Sequence, residues 1–98
     1  MRVRVTKRAE RRIEIVDRFW RNERLEAPDL LKEELAAAEA RLAEEPHAGV
    51  ACVIRGRKYL RLLLPKTEQW LFYQVRAQRG LVIVHTIWGA RRGRNPRI

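Results

Sequence analysis

Two apolar stripes in the first half of the sequence set the strongest limit on how this chain can fold. Each stripe repeats apolar residues at positions i, i+4, i+7 and i+11, the spacing of one face of an α-helix. The first stripe is Ala9, Ile13, Val16 and Trp20, and the second is Leu31, Leu35, Ala38 and Leu42. Two successive helices cannot bury both stripes alone, so we expect them to pack on one face of a sheet.

Residues suited to helix ends flank both stripes. Thr6 can cap the first helix, which is expected to end near Glu23. Pro28 suits the first turn of the second helix, where the negative charge of Asp29 is favourable. Pro46 is expected to stop that helix. The short link between the helices predicts a helical hairpin.

The rest of the sequence has the pattern of strands separated by turns. Arg2–Val5 alternates polar and apolar residues, as a half-buried strand does. Four further strands are expected at Val50–Ile54, Tyr59–Leu64, Gln69–Arg76 and Leu81–Trp88. The order is then β-α-α-β-β-β-β. This predicts one α+β domain over residues 1–98, with the helical hairpin on one face of a mostly antiparallel sheet.

Positive charge is concentrated in the second half of the chain. Residues 1–45 contain eleven Lys or Arg and eleven Asp or Glu, whereas residues 46–98 contain eleven Lys or Arg and the single acid Glu68. The formal net charge of +10 therefore belongs to the second half. Such asymmetry favours an acidic partner, although a charged surface that only improves solubility is the simpler alternative.

Other features of the sequence exclude several classes of protein. Cys52 is the only cysteine, so no internal disulfide is expected and a reducing cytoplasm fits best. The first residues lack the apolar core of a secretion signal, and no apolar stretch reaches the ~20 residues that span a membrane. No metal-ligand spacing or glycine-rich phosphate loop occurs, so neither a metal nor a cofactor is expected.

Two segments near the C-terminus carry a resemblance to a known family. Phe72-Tyr73-Gln74-Val75 is followed by a short turn, an apolar strand and the segment Ile87-Trp88-Gly89-Ala90-Arg91-Arg92-Gly93-x-x-Pro96. This pattern resembles the RelE/ParE superfamily of bacterial toxins, and more closely its ParE branch. The resemblance extends over nearly the whole chain and implies the same order of elements.

The resemblance implies a cognate antitoxin, a small protein whose acidic C-terminal segment binds along the helical hairpin and the adjoining sheet. The residues expected at that interface are Ile13, Val16, Trp20, Arg18, Arg21, Leu31 and Leu35. Periodicity alone offers a different interpretation, in which the apolar members are core residues and the arginines are solvated.

The basic C-terminal half supplies a candidate surface for the target that the resemblance implies. Arginine keeps its charge at physiological pH and forms paired hydrogen bonds with phosphate or carboxylate. Strand aromatics beside basic residues are typical of surfaces that bind RNA; Trp70 and Phe72 are expected to share one face of their strand and Tyr73 the other. The target-binding residues predicted here are Arg57, Lys58, Arg61, Trp88, Arg91, Arg92 and Arg94.

Comparison with the nuclease branch of the superfamily decides between binding and catalysis. In RelE-like ribonucleases an arginine after the last strand stabilises charge at the scissile phosphate, a position that Arg91 matches, and Arg61 matches a basic residue of a middle strand. Those enzymes also use a tyrosine or histidine in the tail, but no Tyr, His, Asp or Glu follows Trp88 here. Cleavage needs proton transfer, for which arginine, with a pKa above ~12, is unsuited.

His85 is the one residue near the tail that can exchange a proton near neutral pH. Ile83 and Ile87 are expected to lie on its face of the strand, where a lone histidine is more often a core residue than a catalyst. We therefore expect a ParE-like toxin that acts by binding DNA gyrase or its DNA complex. The alternatives are a RelE-like endonuclease of ribosome-bound mRNA, using Arg61, Arg91 and His85, and a nucleic-acid-binding module without toxicity.

Overall fold

Two helices cover one face of a five-stranded mixed sheet, as the apolar stripes predicted. The computed structural model describes residues Met1–Ile98. In chain order the elements are β1 (Arg2–Val5), α1 (Lys7–Glu23), α2 (Leu30–Glu44), β2 (Val50–Ile54), β3 (Arg57–Leu64), β4 (Gln69–Arg76), a short 3₁₀ turn (Ala77–Arg79) and β5 (Leu81–Gly89). The predicted β-α-α-β-β-β-β order is confirmed. Neither helix is long and apolar enough to cross a membrane.

The strands lie in the order β1-β5-β4-β3-β2. The four later strands form antiparallel pairs, while β1 pairs in parallel with β5, Arg2 facing Leu81 and Val5 facing Val84. The sheet is therefore mostly antiparallel, as predicted. Because β1 lies beside the last strand, α1 begins next to β5, where the Thr6 N–H donates to the Val84 carbonyl at 3.1 Å.

Two element boundaries differ by two residues from those predicted, and β5 extends one residue further, to Gly89. The turn between β2 and β3 contains only Arg55 and Gly56, both with positive φ (52° and 77°), the geometry of a tight two-residue hairpin. For this reason β3 begins at Arg57, two residues earlier than predicted. Pro28 does not start α2 but lies within tight turns that precede it, and the helix begins at Leu30.

The main core lies between the helices and the sheet. Thr6 caps α1 as predicted, because its hydroxyl accepts from the Ala9 N–H at 3.1 Å. The buried residues of the core are Ala9, Val16, Leu31, Leu35, Ala38 and Leu42 from the helices and Leu62, Leu64, Leu71, Tyr73, Val82, Val84 and Ile87 from the strands. Burying each large apolar side chain contributes about 1.5–3 kcal/mol, so the two stripes fix the helices on the sheet.

The opposite side of the sheet, called the open face below, carries a smaller cluster. It consists of Ile54, Tyr59 and Phe72, with Cys52, Trp70, Trp88 and Ile98 packed against it. Trp70 and Phe72 thus share the open face, whereas Tyr73 lies in the main core, as predicted. The tail after β5 folds back over this face: Pro96 is buried, and Ile98 packs on the cluster.

A β-bulge changes the alternation of side chains within β5. Phe72 pairs with Thr86 and Tyr73 with Val84, so His85 is an extra residue without a partner on β4. Beyond the bulge Ile87 lies in the main core. The prediction that Ile87 shares the face of His85 is therefore wrong. Strict alternation of side chains assumes an uninterrupted strand. Because His85 is inserted, each later residue of β5 points to the face opposite to the one that alternation predicts.

Candidate functional site

A pair of tryptophans on the open face forms the centre of the candidate site. Trp70 of β4 and Trp88 of β5 are directly opposite each other in the sheet. The guanidinium of Arg61 lies over the Trp70 ring, 4.2 Å from its centroid. Three more guanidinium groups lie over Trp88, those of Arg92 at 4.2 Å, Arg12 at 5.2 Å and Arg94 at 5.9 Å. These six residues are called the Arg–Trp cluster below.

Separate elements deliver the four arginines. Arg61 lies two residues after Tyr59 on β3 and so projects to the open face. Arg12 comes from α1, which packs against β5. Arg92 and Arg94 belong to the tail, which turns at Gly89, where the Arg92 N–H donates to the Gly89 carbonyl at 3.2 Å. The Trp88 indole N–H holds the tail by donating to the Arg94 carbonyl at 2.9 Å.

The tryptophan rings hold the arginines of the cluster in place without neutralising their positive charge. It borders a cavity of about 300 Å³ whose lining includes no carboxylate: Arg61, Trp70, Phe72, Trp88, Gly89, Ala90, Arg92, Gly93, Arg94 and Asn95. The face of an aromatic ring attracts a guanidinium group electrostatically. It accepts no conventional hydrogen bonds from the N–H groups at the edge of that guanidinium. The N–H groups of the cluster are therefore left to bind an anion.

Two side-chain nitrogen atoms of these arginines lack a hydrogen-bond partner. Nε of Arg12 and Nε of Arg61 are buried and have no hydrogen-bond partner. A buried donor without a partner costs about 1–3 kcal/mol, which an anion in the cavity would recover at Arg61, the one of the two that lines it. Partial burial, and then the nearby charge of Arg92, lower the pKa of Arg12. A negative charge beside Arg12 would offset both effects.

Arg91, predicted from the resemblance to RelE-like ribonucleases to hold a phosphate, points elsewhere. Its guanidinium pairs with the Glu68 carboxylate at 2.9 Å, and both side chains are exposed. Such surface pairs contribute only about 0–1 kcal/mol. The structure therefore does not bring Arg91 together with Arg61, and the adjacent Arg92 contacts Trp88 instead.

The other basic residues predicted to bind the target also lie away from the cluster. Arg57 is exposed at the start of β3, on the same face as Tyr59 and Arg61, but it does not line the cavity. Lys58 has the opposite orientation, because along β3 it alternates in phase with Leu60, which packs against the main core. Of the predicted set, the structure brings together Arg61, Trp88, Arg92 and Arg94.

His85 lies on the open face but is held by its neighbours. Its Nε2 is 2.9 Å from Oε1 of Gln74. Because an amide oxygen can only accept a hydrogen bond, Nε2 carries the proton and donates it. The Tyr59 ring packs edge-on against the imidazole, with 5.5 Å between centroids. Burial first, and the charge of Arg76 second, lower the pKa of His85. The imidazole is therefore neutral near pH 7.

This lowered pKa makes stability depend on pH. The unfolded chain takes up the His85 proton near the ordinary pKa of 6.5, more readily than the folded protein does. The free energy of unfolding should therefore be highest above pH 6.5 and decrease as the pH falls below it. His85→Gln is expected to flatten this decrease, measured by urea unfolding between about pH 7.5 and pH 5. An unchanged slope would show that the folded protein protonates His85 as readily as the unfolded chain.

The predicted antitoxin-binding residues divide into core and surface. Val16, Leu31 and Leu35 are buried in the main core, and Ile13 and Trp20 pack against it. Leu31 and Leu35 are closed to a partner, whereas Ile13 is partly exposed and Val16 and Trp20 line a surface cavity of about 800 Å³.

The two arginines of that set lie outside the core. Arg18 is exposed, whereas Arg21 donates to Asp17 and Asp29, each at 2.9 Å, and ties α1 to the start of α2. The large apolar side chains of α1 that are open to solvent are Ile15 and Phe19, 58% and 59% exposed.

Sequence reasoning missed Arg12 and did not include Trp70 among the binding residues. The first half of the chain has no net charge, which concealed a local basic group on α1 formed by Arg8, Arg11 and Arg12. The signal was present, because these positions share one side of a helix. Trp70 could be placed opposite Trp88 only with the register of β4 and β5, which the bulge shifts.

Comparisons with known proteins add no assignment to this site. The sequence matches no protein-family profile and no curated protein. No three His, Cys, Asp or Glu side chains lie close enough together to hold a metal ion.

Proposed function

We propose that this protein is the toxin of a type II toxin–antitoxin pair, of the ParE-like branch, and that it acts in the cytoplasm by binding its target. The Arg–Trp cluster is the observation that carries this proposal. It presents four guanidinium groups, three of which line a cavity without carboxylates, and the residues lining that cavity include none that exchanges protons near neutral pH. Such a surface suits binding to phosphate groups or carboxylates rather than catalysis. The proposed target is DNA gyrase or its complex with DNA.

The geometry of the C-terminal half supports the proposal in a second way. The two segments that resemble the superfamily, residues 72–75 and 87–96, belong to neighbouring strands and to the tail that follows them. Both contribute to one surface, since Phe72, Trp88, Arg92 and Arg94 line the same cavity. The resemblance therefore concerns residues that are together in space and not only in sequence.

The antitoxin proposed as partner has a suitable surface next to the cluster. Ile15 and Phe19 are exposed on α1 and border a cavity of about 800 Å³ that reaches the turn between β3 and β4. Five basic residues also line it, against two acids: Arg12, Arg24, Lys66, Arg91 and Arg92 against Glu23 and Glu68. An acidic segment with apolar side chains would match both properties. We therefore propose that the antitoxin binds this side of α1, where it would meet Val16 and Trp20 of the predicted set but not the buried Leu31 and Leu35.

One observation favours the alternative of an mRNA endonuclease. His85 is neutral near pH 7 and lies on the same face of the sheet as Arg61, so a base and a phosphate-binding group are both present. Against this, Gln74 and Tyr59 contact the imidazole and restrict its access to a substrate.

Expression of the protein alone from a tightly controlled promoter tests both functions. We expect growth to stop, with DNA breaks or loss of supercoiling, while mRNA 5′ ends remain unchanged. Cuts positioned at codons that disappear with His85→Ala would establish the nuclease instead. Normal growth at a high yield of folded protein would count against a toxin of either kind.

A further inference from the structure

A second cavity lies on the other side of Trp88, between α1 and the tail. Its volume is about 470 Å³, within the range of about 300–1,000 Å³ typical of small-molecule sites. Its ten lining residues are Arg8, Arg11, Arg12, Ile15, Thr86, Trp88, Arg94, Asn95, Pro96 and Arg97. Five are arginines and none is acidic. This cavity is called the α1–tail pocket below.

Contacts with uncharged groups hold the pocket together. Nη2 of Arg8 donates to the Arg97 carbonyl at 2.9 Å, and the buried Pro96 fixes the tail beside it. Arg12 lies over the ring of Trp88, and its Nε has no partner. A carbonyl and a ring position these side chains but leave their charges uncompensated. The pocket therefore brings like charges together at a cost that a bound anion would offset.

The start of α1 adds to this positive potential. The helix begins at Lys7, one residue before Arg8, so its positive end lies close to the pocket. Helix N-termini attract anions through their free N–H groups and the helix dipole. Here that effect accompanies five guanidinium groups from two separate segments of the chain.

We propose that the α1–tail pocket binds an anion with two or more phosphate groups in a row, as in a nucleoside 5′-polyphosphate or consecutive phosphates of a nucleic-acid strand. Each phosphate accepts paired hydrogen bonds from one or two guanidinium groups, so five arginines exceed what one phosphate can use. Carboxylates of an acidic peptide are spaced further apart than the phosphates of a polyphosphate. The density of arginines therefore favours phosphate. This inference goes beyond the toxin proposal and does not depend on toxicity.

Calorimetric titration of the purified protein with inorganic triphosphate and with orthophosphate, at matched ionic strength, tests the pocket. We expect one triphosphate per chain, bound at least about tenfold more tightly than orthophosphate. The double substitution Arg8→Gln with Arg11→Gln should weaken triphosphate binding about tenfold or more. Arg18→Gln with Arg79→Gln removes the same charge from exposed positions outside the pocket and should change the affinity less than about twofold.

Equal losses in the two double variants would overturn the proposal, because they would show only general attraction to a basic protein. Triphosphate binding no tighter than that of orthophosphate would also overturn it, as would equally tight binding of an oligoglutamate peptide. Arg8→Lys with Arg11→Lys keeps the charge but not the paired donors, and should bind with intermediate affinity. Thermal midpoints of all variants verify that the fold is intact.

Two oligothymidylates of equal length distinguish the sources of the phosphate chain. If a 5′-triphosphate strand binds much more tightly than a 5′-hydroxyl strand, the pocket takes a terminal polyphosphate. Equal binding of both, lost in the Arg8 and Arg11 double variant, identifies the nucleic-acid backbone. If the pocket binds triphosphate but expression of the protein does not harm cells, the toxin proposal is refuted and the proposal of a phosphate site stands.

Discussion

Replacement of Arg12, Arg92 and Arg94 together by glutamine is expected to abolish growth arrest and leave the fold intact. All three guanidinium groups lie over Trp88, and none has a carboxylate partner. Hydrogen bonds from charged groups contribute about 1.5–3 kcal/mol each, so losing three should weaken target binding by about three orders of magnitude or more. Colony counts after induction measure the effect.

Stability should hardly change in this triple variant. Arg92 and Arg94 are exposed, and substitutions at such positions usually alter the free energy of unfolding by less than about 0.5 kcal/mol. Arg12 is half-buried, but its removal also relieves repulsion from Arg92. A thermal melt close to that of the parent would show that lost toxicity reflects lost binding.

Two controls locate the active surface. Arg4, Arg18 and Arg79 are exposed outside the Arg–Trp cluster, and changing all three to glutamine removes the same charge while toxicity should persist. Arg91→Gln breaks only an exposed pair with Glu68 and should also remain toxic. If the Arg91→Gln variant no longer arrested growth while the triple variant of the cluster still did, the active surface would lie beside the turn between β3 and β4.

Glu34→Ala is expected to cause a large loss of stability. The carboxylate of Glu34, on α2, accepts from the Lys66 N–H at 2.7 Å and from the N–H and hydroxyl of Thr67 at 3.0 and 2.6 Å. It thereby ties α2 to the turn between β3 and β4, where Thr67 is 3% exposed. Leaving these donors unpaired should cost about 2–4 kcal/mol. The thermal midpoint should fall by more than about 10 °C, since each kcal/mol shifts a domain of this size by about 4–8 °C.

Matched changes separate this tether from the general effect of losing an acid on α2. Glu44→Ala removes an exposed carboxylate near the end of the same helix and should change the free energy of unfolding by less than about 0.5 kcal/mol. Glu34→Gln keeps one acceptor oxygen and should fall between the two. Melting of Glu34→Ala within a degree or two of the parent would show that water replaces the carboxylate.

The elements that could be predicted from sequence are those specified by local spacing. The stripes of α1 and α2 follow helical periodicity, and the cap at Thr6 depends on residues within one turn. The strands were predicted because turns of distinctive composition separate them, and even the facing of Trp70, Phe72 and Tyr73 followed from simple alternation.

The candidate site could not be predicted in full, because it depends on contacts between distant segments. Arg12 reaches Trp88 only because β1 pairs with the last strand and places α1 beside it. The direction of Arg91 depends on Glu68 across a turn, and that of Arg94 on a tail that folds back over the sheet. Periodicity in the sequence gives no information about contacts between such distant segments.

The extra residue in β5 has a consequence for how this protein can evolve. Because His85 has no partner on β4, its side chain can change while the facing of every later residue stays the same. Loss of that one codon would restore simple alternation and leave Ile87 in the core and Trp88 on the open face, whereas an unbulged strand that kept all its residues would turn Trp88 toward the helices and Ile87 toward solvent. We therefore expect relatives to tolerate many residues at position 85, and also its deletion, but not a straightened strand of the same length. Natural selection would preserve the facing of Ile87 and Trp88 rather than the residue at position 85.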